Sequence, residues 1–184
     1  MSGPRRAPST EAEAEALSSD RGTGRARRPR GTARDRALRL LSVRARSRKE
    51  LETRLRRAGF ADSEIEEALE GLARTGLIDD ERFAQQVVEH AAGAKLAGRR
   101  VILGSLLSKG VSRATADDAM AGLAETEDQR AMDLAERYAG RLERLDPVTA
   151  YRRLFGLLTR RGFDSDVARA AVRAVLGEDG QASE

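Results

Sequence analysis

Cysteine and tryptophan are absent from this sequence, and aromatic residues make up only 3% of its 184 positions. The lack of cysteine excludes disulfide bonds, thiolate-ligated zinc and cysteine nucleophiles, and it is typical of proteins in a reducing cytoplasm. No apolar run approaches the roughly 18 residues that a transmembrane helix needs. With so few aromatic side chains, a core has to be built from leucine, valine, isoleucine and alanine, which favours packed helices. The sequence therefore predicts a soluble, cytoplasmic and all-helical protein.

The sequence also offers little that catalysis could use. Its single histidine, His90, falls in a predicted helix, and a metal site generally needs several ligands. No glycine-rich phosphate loop is present. The acidic pair Asp79–Asp80 precedes a predicted helix, where aspartate oxygens accept free N–H groups, so it favours a helix start over a magnesium site. We predict no enzymatic activity, no cofactor and no metal site.

Charged residues are abundant, at 35% of the chain, and the net charge is +4. Arginine supplies almost all of the positive charge, because the only lysines are Lys49, Lys95 and Lys109. The planar guanidinium donates paired hydrogen bonds to phosphates and carboxylates, so the composition is compatible with a polyanionic partner. A genome rich in G and C also favours arginine and alanine together. The arginine content alone therefore does not establish binding.

The two ends of the chain differ in composition from its middle. Residues 1–33 are rich in Arg, Ala, Gly, Ser, Thr and Pro and contain a single leucine, Leu17. Such a segment cannot bury enough apolar area to offset the entropy of ordering, so it is predicted to be a disordered basic tail. Its second half, Arg21 to Arg30, is a basic cluster that could touch nucleic acid loosely. Residues 178–184 are predicted to be frayed.

From residue 34 onward the apolar residues follow a helical period with sharp stops. The segment Asp35 to Arg46 is predicted to form a first helix. Ser47, with glutamate three residues later, forms a capping-box pattern that opens a second helix, which ends at Gly59. A third helix is predicted to begin at Asp62 or Ser63.

The same pattern recurs twice more when Gly59, Gly110 and Gly162 are taken as origins. Each unit keeps apolar residues at matching positions before and after its glycine. These residues are Leu51, Leu55, Phe60, Ile65, Ala68, Leu69 and Leu72 in the first unit; Ile102, Leu106, Val111, Ala116, Ala119, Met120 and Leu123 in the second; and Leu154, Leu158, Phe163, Ala168, Ala171, Val172 and Val175 in the third. Chance agreement at so many positions is improbable, so the chain is built from internal repeats.

The repeats predict an all-α fold of three tandem three-helix units, covering residues 34–78, 79–125 and 126–177. The third unit opens its middle helix differently, with Asp146 as a cap and Pro147 in the first turn. One such unit buries little apolar surface, so neighbours have to pack on each other. The expected shape is an elongated, curved, solenoid-like rod that presents binding surfaces rather than a catalytic cleft.

Basic residues recur at both ends of the predicted middle helix in all three units. Stacked units could align them into a positive stripe that matches phosphates or an acidic protein groove. Cations near helix C-termini also stabilise the helix dipole without any partner, and both interpretations stay open. The candidate binding residues are Arg44, Arg46, Arg48, Lys49, Arg56, Arg57, Arg99, Arg100, Lys109, Arg152, Arg153, Arg160 and Arg161.

Three stretches carry a family resemblance. The run from Arg44 through Phe60, the run Gly76–Ala84 (GLIDDERFA) and the run Leu107–Val111 (LSKGV) resemble segments of the RecX family of RecA regulators. The likeness extends over about residues 34–177 and implies three tandem three-helix repeats. The positions that match the family pattern are expected to be structural: Gly59, Phe60, Asp79, Asp80, Phe83, Gly110 and Gly162.

The resemblance also implies a function. A RecX-like chain is expected to be a monomer that binds the RecA–DNA filament and mainly inhibits the recombinase, ATPase and coprotease activities of RecA. These activities serve DNA repair, recombination and the SOS response, and the family has no catalytic residues. Two alternatives stay open: a sequence-nonspecific DNA-binding protein, and a helical interaction scaffold.

Overall fold

The computed structural model describes residues 31–177, and this part of the chain is entirely helical, without a β-strand. The α-helices are α1 (Ala33–Leu41), α2 (Arg48–Arg57), α3 (Asp62–Arg74), α4 (Asp80–Ala92), α5 (Arg99–Ser108), α6 (Arg113–Ala119), α7 (Glu127–Ala139), α8 (Pro147–Arg160) and α9 (Ser165–Leu176), with a 3₁₀ helix at Ala121–Thr126 between α6 and α7. The predicted basic cluster from Arg21 to Arg30 and the predicted frayed end lie outside the described residues, as does nearly all of the predicted tail.

The helices group into three units, each with its own apolar core. Helices α1–α3 (unit 1) enclose a core that includes Leu51 and Leu69, and α4–α6 with the 3₁₀ helix (unit 2) enclose one that includes Ile102. Helices α7–α9 (unit 3) enclose a third, around Leu154 and Phe163. The predicted all-helical fold of three three-helix repeats is confirmed.

The recurring apolar positions explain why these segments fold in the same way. All of them are buried except Ala119 and Val175, which are half-buried. The two apolar positions that precede each glycine are four residues apart, and those of the third helix recur at spacings of three or four residues, so one side of each helix faces the core. Gly59, Gly110 and Gly162 all have positive φ, at 90°, 76° and 90°, which ends each middle helix in a conformation that glycine adopts without strain.

The predicted bounds of the first helix were wrong, whereas the predicted start of the third was correct. The first helix covers Ala33–Leu41 rather than the segment from Asp35 to Arg46, because Thr32 caps it and Asp35 completes the capping box. The third helix begins at Asp62, as predicted, but its cap is Ala61, whose N–H donates to the carboxylate of Glu64 (2.9 Å). In both cases an acidic residue in the first turn accepts the backbone N–H of the cap residue.

Unit 2 departs from the other two in its third helix. Helix α6 has only seven residues, and the chain continues as the 3₁₀ helix directly into α7. Met120 and Leu123 nevertheless reach the core, so the unit keeps its apolar face while the connection to unit 3 becomes short.

No helix in the range 31–177 is long and apolar enough to span a membrane. Over the same range, no group of three or more metal-ligating side chains converges.

Candidate binding surface

The middle helices of successive units meet end to end. The first turn of α2 lies against the last turn of α5, where the Ser47 hydroxyl donates a hydrogen bond to the Lys109 carbonyl (junction 1). The first turn of α5 likewise lies against the last turn of α8, where the Gly98 N–H donates to the Arg161 carbonyl at 2.9 Å (junction 2). The free N–H groups at one helix start thus meet the free carbonyls at another helix end.

Junction 2 has further bonds of the same kind. The Arg100 N–H donates to the Gly162 carbonyl (3.2 Å), and the Arg100 guanidinium donates to the Thr159 carbonyl (2.7 Å). In the opposite direction, the Arg161 guanidinium donates to the Lys95 carbonyl (2.7 Å). Basic residues at the two helix ends therefore help to hold units 2 and 3 together.

The recurring glycines allow this close approach. A Cβ atom on Gly110 would lie 2.3 Å from the Cβ of Lys49, and one on Gly162 would lie 2.5 Å from the Val101 backbone nitrogen. A Cβ on Gly98 would lie 2.3 Å from the Gly162 carbonyl carbon. A larger side chain would push the units apart, so packing requires glycine at all three positions, and backbone conformation favours it also at Gly110 and Gly162.

Because the helix ends abut, several of the predicted basic residues line clefts at the junctions. At junction 1 an open cleft of about 570 Å³ is lined by Lys49, Arg54, Arg57 and Lys109. At junction 2 a cleft of about 360 Å³ is lined by Arg99 and Arg100, but also by the acidic residues Glu127 and Asp164. The spacing of the two junctions is set by the ten residues of α5, about 15 Å of helix.

In unit 1 most candidate basic side chains are paired with acids of the same unit. Lys49 and Arg56 both contact Glu52, at 2.9 Å and 2.7 Å. Arg48 contacts Glu66 at 2.6 Å. The hydrogen bonds from Lys49 and Arg56 lower the pKa of Glu52 below its ordinary value. These ion pairs neutralise much of the positive charge in unit 1.

Glu50 is the centre of a second network. Arg44, Arg46 and Arg54 all contact its carboxylate, Arg46 at 2.6 Å and Arg54 at 3.3 Å. Burial acts to raise the pKa of Glu50, but the hydrogen bonds and charges of Arg44 and Arg46 outweigh it and lower the pKa. Arg46 itself is buried and also donates to the Leu40 carbonyl, so its guanidinium holds unit 1 together instead of facing solvent. The predicted capping box is therefore only half present: the Ser47 hydroxyl caps α2, but the Glu50 carboxylate binds arginines.

The candidate residues outside unit 1 are paired far less. Arg99 lies 3.8 Å from Asp117 and is half-buried. The remaining candidates of units 2 and 3 have no acidic partner within 4.0 Å in the range 31–177, and neither does Arg57 at the end of α2. These residues are Arg100, Lys109, Arg152, Arg153, Arg160 and Arg161. We call this set, with Arg57, the unpaired basic set.

The family-pattern positions are structural in this fold. Phe60 and Phe83 are buried in the cores of units 1 and 2. Asp79 caps α4 by accepting the Arg82 N–H at 2.9 Å, as predicted. Asp80 does not cap its own helix, since its carboxylate accepts the N–H of Arg48 in unit 1 at 2.8 Å.

Sequence reasoning missed Leu96, which lies between α4 and α5 but packs into the core of unit 3. It is buried with φ at 45°, the one positive φ of a non-glycine residue among those described. An apolar residue just before Gly98 was the available signal. Leu96 adds an apolar anchor to junction 2.

Comparison with known proteins agrees with the repeat structure. Three family models match the chain: the first three-helix domain of RecX over residues 33–72, the second over 79–120 and the third over 125–172. Together they cover more than half of the chain.

Several curated relatives are named "Regulatory protein RecX". The relative from Mycolicibacterium smegmatis is 38% identical over 77% of this chain and 78% of its own length, and that from Mycolicibacterium vanbaalenii is 37% identical over 94% of both chains. The crystal structure of RecX from Lactobacillus salivarius superposes with a TM-score of 0.69 at 26% identity, over 78% of this chain and 94% of that one.

The matched ranges contain most residues of the three cores and the residues that hydrogen-bond across the two junctions. Sequence, fold and internal repeat agree on one assignment. The chain belongs to the RecX family and is similar to proteins named as regulatory.

Proposed function

We propose that this chain is a non-enzymatic regulator in the cytoplasm that binds the RecA filament on DNA and mainly inhibits RecA. The family membership supports a regulatory role. The observation that carries the binding proposal is the unpaired basic set, which lies along the row of abutting middle helices. Basic side chains without an acidic partner suit a polymer with repeating negative charge, because they can form several contacts without breaking ion pairs within the binder.

The mechanism that we propose is occupancy. A chain that lies across adjacent RecA protomers hinders the conformational steps by which the filament extends and turns over ATP. Binding at several points along the row makes dissociation slow, because all contacts have to break together.

A direct test measures the DNA-dependent ATPase and strand-exchange activities of RecA as this chain is added. We expect both activities to fall at ratios at or below one chain per RecA protomer. A parallel binding assay compares three targets: RecA filaments on labelled single-stranded DNA, free RecA, and bare DNA. Unchanged RecA activity at saturating chain would remove the proposal.

The second candidate is sequence-nonspecific DNA binding, which the same unpaired basic set supports. This candidate predicts that the affinity for bare DNA, measured without RecA, falls steeply as the salt concentration rises. If bare DNA binds as tightly as the RecA filament at every salt concentration, DNA binding is the main activity. If bare DNA does not bind, this candidate is excluded.

A further inference from the structure

An acidic residue connects each unit with the middle helix of the unit before it. Asp80, the first residue of α4, accepts the N–H of Arg48, the first residue of α2, at 2.8 Å. Glu127, the first residue of α7, accepts the N–H of Arg99, the first residue of α5, at 2.9 Å. The donor and acceptor positions are equivalent in the two pairs, although the acid is aspartate in one and glutamate in the other.

The arrangement is consistent at both ends of the described series. Unit 1 has no described unit before it, and the equivalent first residue of α1 is Ala33, which has no carboxylate. Unit 3 has no described unit after it, and the equivalent first residue of α8 is Pro147, which has no N–H to donate. Among the described units, the carboxylate thus occurs only where a preceding unit supplies an N–H, and the N–H only where a following unit supplies a carboxylate.

These hydrogen bonds are well placed to fix the angle between units. Each acid lies at the start of one unit's first helix, and each N–H lies at the start of another unit's middle helix, so the bond joins two rigid elements. Hydrogen bonds to an ionised carboxylate are stronger than those between neutral groups. Both acids are half-buried, which shields the bonds from water.

We infer that Asp80 and Glu127 are equivalent positioning residues, which set the angle between successive units and thereby the spacing of the basic residues at the two junctions. The two carboxylates are not themselves proposed to contact the filament. Each acts by placing the basic residues of neighbouring units. The effect on filament binding rests on the proposed function, whereas the effect on the inter-unit angle does not.

The first test measures amide hydrogen exchange at the donor nitrogens. Asp80→Ala should speed exchange of the Arg48 N–H by about tenfold or more, the loss expected for a hydrogen bond to a charged group, and leave Arg99 unchanged. Glu127→Ala should do the reverse. Asp80→Asn keeps an acceptor oxygen and should retain most of the protection.

The matched controls lie one residue away. Glu81 and Asp128 are exposed acids in the same first turns, so Glu81→Ala and Asp128→Ala remove the same helix-dipole interaction without touching the inter-unit bond. Exchange at Arg48 should stay unchanged in Glu81→Ala. Equal acceleration in Asp80→Ala and Glu81→Ala would overturn the inference.

The second test measures inter-unit distances in the absence of any partner. Because the chain has no cysteine, Glu70→Cys with Glu89→Cys gives one spin-label pair between units 1 and 2, and Glu89→Cys with Glu136→Cys gives one between units 2 and 3. Double electron–electron resonance should show a broader distance distribution across junction 1 in Asp80→Ala, and across junction 2 in Glu127→Ala. Helical content by circular dichroism should be unchanged.

A distance distribution in Asp80→Ala that is identical to that in Glu81→Ala would overturn the positioning role. Filament affinity is then measured separately. A broader distribution with unchanged RecA inhibition would support the positioning role and contradict the proposed binding surface, so the two failures are distinguishable.

Discussion

Unit 1 carries six candidate basic residues and unit 3 carries four, and the surroundings of these residues differ. In unit 1, Arg44, Arg48 and Arg56 contact acidic residues of the same unit. In unit 3, Arg152 and Arg153 are exposed and have no acidic partner in the described part of the chain. A paired guanidinium has to give up its carboxylate before it can bind a phosphate, whereas an exposed guanidinium without a protein partner, such as that of Arg152 or Arg153, gives up only water.

We therefore expect local acid content, rather than arginine content, to decide which basic residues are available for binding. The repeat places basic residues at equivalent positions, but the acids of unit 1 (Glu50, Glu52 and Glu66) neutralise them there. The binding surface is therefore expected to be centred on junction 2 and α8.

The largest expected effect comes from removing the unpaired charges of α8. Replacing Arg152, Arg153 and Arg160 together with glutamine should weaken binding to RecA–DNA filaments by roughly a hundredfold at moderate salt. If all three contact phosphates, the slope of log affinity against log salt should become shallower by about three. Fluorescence anisotropy of labelled filaments across a salt series measures both quantities.

The matched variant replaces Arg44, Lys49 and Arg56 with glutamine and so changes the net charge by the same amount. Because these side chains are already paired, binding should change only slightly, while the midpoint of urea unfolding should fall. Equal losses of binding in the two variants would show that net charge, and not pairing, decides affinity.

The next largest effect is expected from a substitution that disturbs the close packing at junction 2. Gly98 has an ordinary φ of −77°, so Gly98→Ala brings no backbone strain of its own and its cost comes from the Cβ contact alone. We expect the free energy of unfolding to fall by about 2 kcal/mol, as for other overpacked sites. Gly104, in the same region of the chain, has open space around its Cβ position. Gly104→Ala should therefore raise stability by about 1 kcal/mol; a loss of stability in both variants would contradict the packing argument.

A smaller effect separates helix capping from the inter-unit contact. Ser47 and Ser112 each cap a helix, and removal of either cap should cost about 1 kcal/mol. Ser47 is also buried and donates to the Lys109 carbonyl at junction 1, so Ser47→Ala should cost about 1 kcal/mol more than Ser112→Ala. Urea unfolding of both variants measures the difference. Equal costs would show that the hydrogen bond from Ser47 to the Lys109 carbonyl adds no measurable stability.

The smallest effect is the pH dependence that Glu50 gives to unit 1. The folded state lowers its pKa from 4.5, so its contribution to stability is present above pH 4.5 and is lost as the pH falls through the lower folded pKa. The parent chain should therefore lose stability on acidification below about pH 4.5 more steeply than Glu50→Gln, by no more than about 1 kcal/mol.

Glu70→Gln is the control for this pH series, because Glu70 is exposed and has no ion pair within residues 31–177. Its profile should match that of the parent. Parallel profiles for the parent and Glu50→Gln would contradict the assigned role of the Glu50 network.

The sequence was sufficient to predict the helices and the repeat, because both depend on contacts between residues close in the chain. Leu51, Leu55 and Gly59 lie within nine positions of one another, and their pattern indicates a helix and its end directly. The junctions could not be predicted in this way. Ser47 and Lys109 are 62 residues apart, and nothing in either local pattern indicates the other.

Charge pairing was equally hard to predict. Glu50 has the correct spacing from Ser47 for a capping box, yet its carboxylate binds Arg44 and Arg46. Long flexible side chains choose among several partners by geometry that only the folded chain defines. The positions of the candidate basic residues were therefore predictable, but which of them remain unpaired was not.

The end-to-end row of middle helices also changes how its electrostatics should be understood. An isolated helix carries partial positive charge at its start and partial negative charge at its end, and cations in the first turn are normally unfavourable. Yet α5 begins with Arg99 and Arg100 and has no acid in its first turn. The carbonyls of Arg161 and Gly162 at the end of α8 accept the N–H groups of Gly98 and Arg100 at the start of α5. The opposing poles of the two helices therefore offset each other at junction 2. Only the two outer poles of the resulting composite dipole depend on side chains for compensation: Asp146 lies at the positive pole of α8, and the arginines of the last turn of α2 lie at the negative pole.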